Sequence, residues 1–371
     1  MNAPDAVDVV ALGESMVTFL PSRPGRLAEV PSFERGIGGA ESNVACVLAA
    51  AGHSVRWVSR VGADGFGDHL VETIGGYGVD VSAVGRDASR PTGVYFRTAQ
   101  DRASDGHEVA YYRAGSAASA MSVANVDPSV VRAGRVLHLS GITAALSAGC
   151  LELLRELTAP GEGRPLISFD VNHRAGLWRD DDGPRVLLEL ARGADIVFVG
   201  EDEAEEAWGV TGGPAAIRAV LPEPGVLVVK QGGKGATAFV TPSAPPAPSA
   251  PPALFAPPAP PAPPAPHPRH RSASTFVPAL AVDVVATTGA GDAFAAGFLS
   301  ATLRHLPLRD RLRYGHLWAA AALTVPGDLA APPSRAHADR LVAAGDDTWG
   351  TLRLGPGWTQ ADPAPEEVRT P

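Results

Sequence analysis

The sequence predicts an α/β domain, a mainly parallel sheet with helices on both faces, and three observations carry that prediction. From residue 135 onward, short apolar β-branched runs alternate with longer amphipathic runs, the order produced by repeated βαβ units. Asp170, Lys230 and Gly289 fall at or just past the ends of such apolar runs, and open α/β sheets bind ligands at the carboxyl ends of their strands. The string Thr287-Thr288-Gly289-Ala290-Gly291-Asp292-Ala293-Phe294 follows an apolar run over 276–285 and opens an alanine-rich run over 293–303. That order reads as strand, glycine turn and helix.

Residues 7–12 form a buried first strand ending at Gly13-Glu14, and 21–25 are turn-rich. Glycines at 36, 38 and 39 lead into a helix over 43–51, which Gly52 ends. A strand over 55–61 passes through the turn at 62–67 into a helix over 68–75. Residues 91–98 and 107–113 alternate apolar with polar or aromatic side chains around a polar tip at 100–106, as a hairpin does. Strands follow at 136–139, 166–170, 196–199 and 226–230, with helices at 148–158, 184–191, 201–208 and 214–221 between them. Proline and alanine dominate from 241 to about 274. Such a stretch supports neither ladder nor helix and lacks apolar bulk, so a disordered or polyproline-like insertion is expected there. A disordered tail is expected over 355–371.

The chain has 371 residues, enough for one large α/β domain or two smaller ones. Its net charge of −9 argues against nucleic acid or an anionic membrane surface as the main partner. No apolar run is long enough to span a bilayer, and the short acidic N-terminus does not read as a secretory signal. Cys46 and Cys150 are too few and too far apart for a disulfide framework or metal site. Cytoplasm is the expected compartment.

The glycine turn carries the chemistry. Glycines bring bare backbone N–H groups close to a ligand, and the following helix leaves its first N–H groups unpaired at a positive end. Such a turn holds an anion, most often phosphate. A carboxylate there, Asp292, would repel the ligand unless it takes a proton from a group attacking that phosphate. An ordinary first-turn aspartate is the bland reading. No P-loop is present, because Gly233-Lys234 is followed by Gly235. Gly36-x-Gly38 does not complete a dinucleotide fingerprint, since the third glycine position is Glu41.

Taken whole, the 287–294 string resembles the C-terminal signature of the ribokinase-like (PfkB) carbohydrate kinases, and Gly38-Gly39-x-x-x-Asn43 resembles their N-terminal signature. The resemblance runs from about 7 to 345, omitting the Pro/Ala insertion, and implies a three-layer sandwich with a small β-sheet lid from strands within about 14–38 and 91–113. It implies ATP and Mg²⁺ as cofactors. Asp292 becomes the catalytic base, and the N–H groups of the Gly289, Ala290 and Gly291 turn become the anion hole. Lys230-Gln231-Gly232-Gly233-Lys234-Gly235 resembles the family's nucleotide turn, so Lys230, Gly232, Gly235, Thr288, Gly289 and Gly291 are carried over as nucleotide contacts. Lys230 reads equally as a solvated strand-end cation.

Glu203 matches the family acid that organises Mg²⁺ through water, although Gly200 replaces the usual asparagine and a capped helix start is the bland reading. Ala286 stands where the family has an acid that helps bind a monovalent cation, which leaves K⁺ as a cofactor open for this chain. Tyr111-Tyr112-Arg113-Ala114-Gly115-Ser116 and Asp170-Val171-Asn172-His173-Arg174-x-x-Leu177-Trp178 resemble strings of the family's 2-keto-3-deoxygluconate kinases. An aldonic-type acid carries a carboxylate that arginine can bind bidentately. The resemblance therefore implies Gly38, Gly39, Asn43, Tyr95, Tyr111, Arg113 and Arg174 as sugar contacts, and a homodimer or higher homo-oligomer, with lid strands that pair between subunits in the family. Kinases of fructose, ribose, a nucleoside or 5-keto-2-deoxygluconate, and a non-catalytic sugar sensor, are the alternatives.

Overall fold

The computed structural model describes residues 5–23, 25–98, 108–178, 182–241 and 273–360. β1 (Val7–Leu12) lies deep in the main sheet. β2 (Met16–Pro21) and β3 (Phe33–Gly38) then pair antiparallel outside it. The helix Ala40–Ala50 returns the chain to β4 (Val55–Gly62) beside β1, and the helix Gly65–Gly76 crosses to β5 (Val84–Asp87). β6 (Val94–Arg97) pairs parallel with β2 and antiparallel with β7 (Val109–Tyr112). These strands form a separate small sheet, in the order β3-β2-β6-β7.

The second half supplies β8 (Gly134–Ser140), β9 (Leu166–Asp170), β10 (Ile196–Gly200), β11 (Val226–Lys230), β12 (Gly235–Val240) and β13 (Ala273–Pro278). The nine-stranded order is β13-β12-β11-β10-β9-β8-β1-β4-β5, parallel except at β11–β12 and β12–β13. Strand side chains alternate between faces. Val9 and Ala11 accordingly join one core with the helices Ala40–Ala50, Ala290–Leu303 and Leu308–Leu323. Val10 and Leu12 join a second core under the helices Ala148–Thr158, Gly183–Arg192 and Glu201–Trp208. The result is three layers, as the sequence predicts.

Four expectations change. The first helix begins at Ala40 rather than 43, directly after Gly39. The apolar run over 276–285 is not one strand. Pro278 ends β13, and only the two-residue β14 (Ala281–Val282) follows, paired with β15 (Arg353–Leu354). Proline removes the N–H that would continue the ladder, and Val282 and Val284 instead line a cavity. The fold also runs past 345, because the helix Asp346–Thr351 buries Trp349 in the first core. Trp358, inside the expected tail, is buried too, so only 361–371 of that tail lie outside the described residues. The hairpin tip at 100–106 and residues 242–272 of the insertion also lie outside them. β12 and β13 flank that insertion as an antiparallel pair, with Val240 opposite Ala273.

Candidate active site

Gly289 sits at φ 77°, in the left-handed region, and caps the helix Ala290–Leu303. A Cβ at 289 would collide with the carbonyl oxygen of Asp328, so glycine is required both for the conformation and for the close approach. Ala290 N–H reaches back to Thr287 O at 3.4 Å. The N–H groups of Gly291 and Asp292 lie in the first turn, where a helix offers them no internal partner.

Asp292 is the third residue of that helix, and Asn43 Nδ2 donates to its Oδ2 at 2.8 Å. Asn43, expected as a sugar contact, is thus the residue that holds the Asp292 carboxyl. Burial pushes the Asp292 carboxyl up to about 8; the Asn43 hydrogen bond and Lys230 oppose this, while Asp170 and Asp328 add to it. Lys230 is no solvated cation. Its Nζ donates to both Asp170 oxygens, at 3.1 and 3.0 Å. Burial alone would lower its pKa, but Asp170 and Glu203 more than offset that and hold the ammonium above its ordinary range.

Two cavities meet at the glycine turn. The first, about 390 Å³, is polar and takes in Gly38, Tyr95, Tyr111 and Arg113 from the lid side and Gly39 and Asn43 from the start of the first helix. Arg174, Glu203, Thr288, Gly289 and Asp292 line it from the main sheet. The second, about 520 Å³, is lined largely by apolar side chains, among them Leu280, Val282 and Phe294, together with Gly232, Gly235 and Ala290. Lys230, Thr287 and Gly291 line both. Every sequence-predicted site residue therefore lines one cavity or the other.

The arginines are already engaged. Arg113 Nη2 lies 2.5 Å from Glu14 Oε2, with the glutamate buried and the arginine largely so. Arg174 is half exposed, with Nη1 donating to His173 O at 2.7 Å and 3.5 Å from Glu203 Oε1. Glu203 Oε2 accepts from Gly200 N–H at 2.8 Å, which is the helix-capping role. Its Oε1 is the oxygen beside Arg174, and Glu203 lines the polar cavity; one carboxylate is a donor set too small to cage a metal but suited to holding a magnesium that keeps its waters and ATP phosphates. No group of three or more metal-ligating side chains occurs among the described residues. Ala286 is buried and offers no side-chain oxygen.

Sequence reasoning did not single out Glu14, Arg97 or Asp328. Arg97 Nη2 donates to Asp328 Oδ1 at 2.8 Å, and the Tyr95 hydroxyl donates to Asp328 Oδ2 at 2.7 Å. Burial raises the Asp328 carboxyl pKa against the opposing pull of Arg97 and Tyr95. Nothing local in the turn Pro326-Gly327-Asp328 marks that aspartate, whose partners lie more than 200 positions earlier.

Residues 6–260 and 267–335 match the description pfkB family carbohydrate kinase. A 2-dehydro-3-deoxygluconokinase of Thermoproteus tenax is 32% identical over 91% of this chain and 95% of that protein. Fructokinase-2 of Zea mays is 30% identical over 90% of this chain and 94% of that protein. The crystal structure of a PfkB protein from Polaromonas sp. JS666 is 31% identical, with a TM-score of 0.73 over 91% of this chain and 100% of that one. The chain belongs to the pfkB family carbohydrate kinases, phosphotransferases that act on an alcohol group.

Proposed function

We propose that this kinase transfers the γ-phosphate of ATP to the 6-hydroxyl of 2-keto-3-deoxygluconate, with Asp292 as general base. The observation that carries the reading is the position of Asp292 and the helix N-terminus where a polar and an apolar cavity meet. The sugar acid occupies the polar cavity and the nucleotide base the apolar one. Lys230 and Gly291, common to both, stand where the phosphates pass.

Phosphoryl transfer asks the protein for alignment and charge stabilisation rather than covalent chemistry. The hydroxyl proton moves to an Asp292 oxygen as the sugar oxygen bonds to phosphorus and the bond to the ADP oxygen breaks. The Gly291 and Asp292 N–H groups, with the Ala290 N–H once it leaves Thr287 O, face the charge on the transferred group. Asn43 keeps the base aimed. Mg²⁺ would neutralise phosphate charge, held through water at Glu203. The lid sheet excludes water, which would otherwise compete as nucleophile.

Arg113 and Arg174 line the polar cavity, as a carboxylated substrate requires, and the Thermoproteus tenax relative bears the name of that activity. A second reading rests on the pairing of the cavity's cations: Arg113 with Glu14, Arg174 with Glu203, and Lys230 with Asp170. A site so neutralised also suits an uncharged ketose, the substrate class in the name of the Zea mays relative.

ADP release from MgATP across a sugar panel, with and without K⁺, separates the two. Turnover confined to 2-keto-3-deoxygluconate is the expected result, and turnover on fructose alone would discard the carboxylate argument. Asp292→Ala is expected to lose roughly 10²–10⁴-fold in kcat, the usual contribution of a general base, while ATP binding is retained. Near-normal turnover in that variant would remove Asp292 from the mechanism.

A further inference from the structure

One fully buried carboxylate takes no part in the chemistry above. Glu41 is the second residue of the helix Ala40–Ala50 and lines neither cavity. Its Oε1 takes three donors: Ser140 N–H at 3.1 Å, Ser140 Oγ at 2.7 Å and Thr143 Oγ1 at 2.7 Å. Ser140 ends β8 and stands at the cap of the one-turn helix Gly141–Ala144, which its own side chain does not cap. The glutamate of one helix thus holds the start of another. A Cβ at Gly13, just past β1, would stand 2.1 Å from the Glu41 carboxyl carbon, so that strand end leaves room for the carboxylate. Burying a carboxylate is costly, and burial raises the Glu41 pKa against the opposing pull of Thr143, Ser140 and Arg113. What such a group supplies and apolar packing does not is direction. The helix presents small side chains, Ala40, Ala45, Ala49 and Ala50, and apolar burial is non-directional, so packing sets its rotation only weakly. Hydrogen bonds converging on one oxygen set it closely. Asn43 stands two positions on, about 200° round the helix, and its Nδ2 donates to Asp292 Oδ2 at 2.8 Å. Side-chain atoms lie about 5–6 Å from a helix axis, so a rotation of about 10° carries the Asn43 amide about 1 Å. That is enough to break the bond.

We propose that Glu41 is a positioning residue: by fastening the helix Ala40–Ala50 to the end of β8, it fixes the rotation that sets the Asn43 amide on the Asp292 carboxyl. This rests on the kinase reading, in which Asp292 is the base, and adds to it a residue outside both cavities. The other end of the fastening also belongs to the site, since Ile142 in the capped turn lines the polar cavity.

The test uses the full chain, on whichever sugar the wild type phosphorylates. Glu41→Met keeps the volume and removes the acceptor. It is expected to lose roughly 10–100-fold in kcat, the cost of misplacing a group by about 1 Å, with the KM for MgATP within about threefold of wild type. The acidic limb of its kcat/KM profile moves to higher pH. Asn43 and Lys230 hold the Asp292 carboxyl down while burial, Asp170 and Asp328 raise it, and the variant loosens Asn43 alone. Loss of the Glu41 charge by itself would move the limb the other way. Glu41→Gln keeps an acceptor oxygen and is expected to restore most of the kcat. Combined with Asn43→Ala, Glu41→Met adds no further loss, since both remove one interaction. Additive losses in the double variant, an equal loss in Glu41→Gln, or an unmoved limb in Glu41→Met would each overturn the proposal and leave Glu41 a structural residue only. Should Glu41→Met fail to fold, Thr143→Val, which removes one of the donors, enters the same cycle with Asn43→Ala, and additive losses there overturn the proposal too. Wild-type silence on every sugar would defeat the kinase reading separately. NMR titration of the Asp292 carboxyl then decides: a raised pKa in Glu41→Met supports the fastening, and a titration identical to wild type counts against it.

Discussion

At the scale of single residues, the site is a set of buried charges whose neighbours decide what each can do. Asp292 carries a carboxyl raised to about 8, with burial the leading cause, yet only its ionised form accepts a proton. Its kcat/KM is therefore expected to fall roughly tenfold per pH unit below about 8, since that ratio reports ionisations of the free enzyme. An acidic limb near 4 would contradict this. Stability moves the other way. An unfolded aspartate ionises near 3.9, so from there up to about 8 the folded state holds a proton that the unfolded state releases, and stability declines as pH rises. Asp292→Asn has no such titration. Its melting temperature is expected to gain on the wild type from acidic pH up to about 8 and then level off. Thermal scans at several pH values check that trend, and a constant difference would contradict it.

At the scale of elements, the turn at 287–292 shows how local pattern and distant packing divide the information. Glycine spacing and the alanine-rich run pointed to an anion site with a base beside it, because both signals are local in sequence. The partners of that site are not local. Asn43 stands 249 positions from Asp292, and Lys230 stands 60 from Asp170, so the sequence left Lys230 open between ligand contact and solvated cation. Glu14 and Asp328 carried no signal, since an acid at a strand end or in a turn is ordinary until its partner is known. The run over 276–285 misled for a related reason: β-branched residues favour strand, but Pro278 breaks the ladder and the cavity claims the valines beyond it. Gly289→Ala probes the element directly. A left-handed conformation at a residue bearing a Cβ costs about 1–3 kcal/mol, and here that Cβ also collides with Asp328 O. The variant is expected to shift its denaturation midpoint down by at least that much and to lose kcat with the displaced N–H groups. Wild-type stability and turnover would mean that the turn relaxes freely.

At the scale of the whole molecule, the candidate site lies along one edge of the main sheet. The carboxyl ends of β9, β10 and β11 bring Asp170, Gly200 with its capping Glu203, and Lys230 to one edge of the main sheet, as parallel strand order requires. The lid reaches the same cavity from the other side, with Tyr95 and Arg97 bonded to Asp328 and Arg113 paired with Glu14. The insertion leaves from elsewhere. It joins β12 to β13, the last two strands at one edge of the main sheet, where Val240 pairs with Ala273. The register of that hairpin is set by six paired positions from Gly235 to Val240, not by what connects the strands. Replacing residues 242–272 with a short hairpin turn is therefore expected to preserve kcat and both substrate KM values. Closing a loop costs about 0.6 kcal/mol for each doubling of its length, and the replacement removes about three doublings. The shortened chain should gain up to about 2 kcal/mol in stability, read as a higher denaturant midpoint. A drop in kcat would mean that the insertion reaches the active site. Destabilisation would mean that it packs on the body of the protein and adds contacts that outweigh the entropy of closing it.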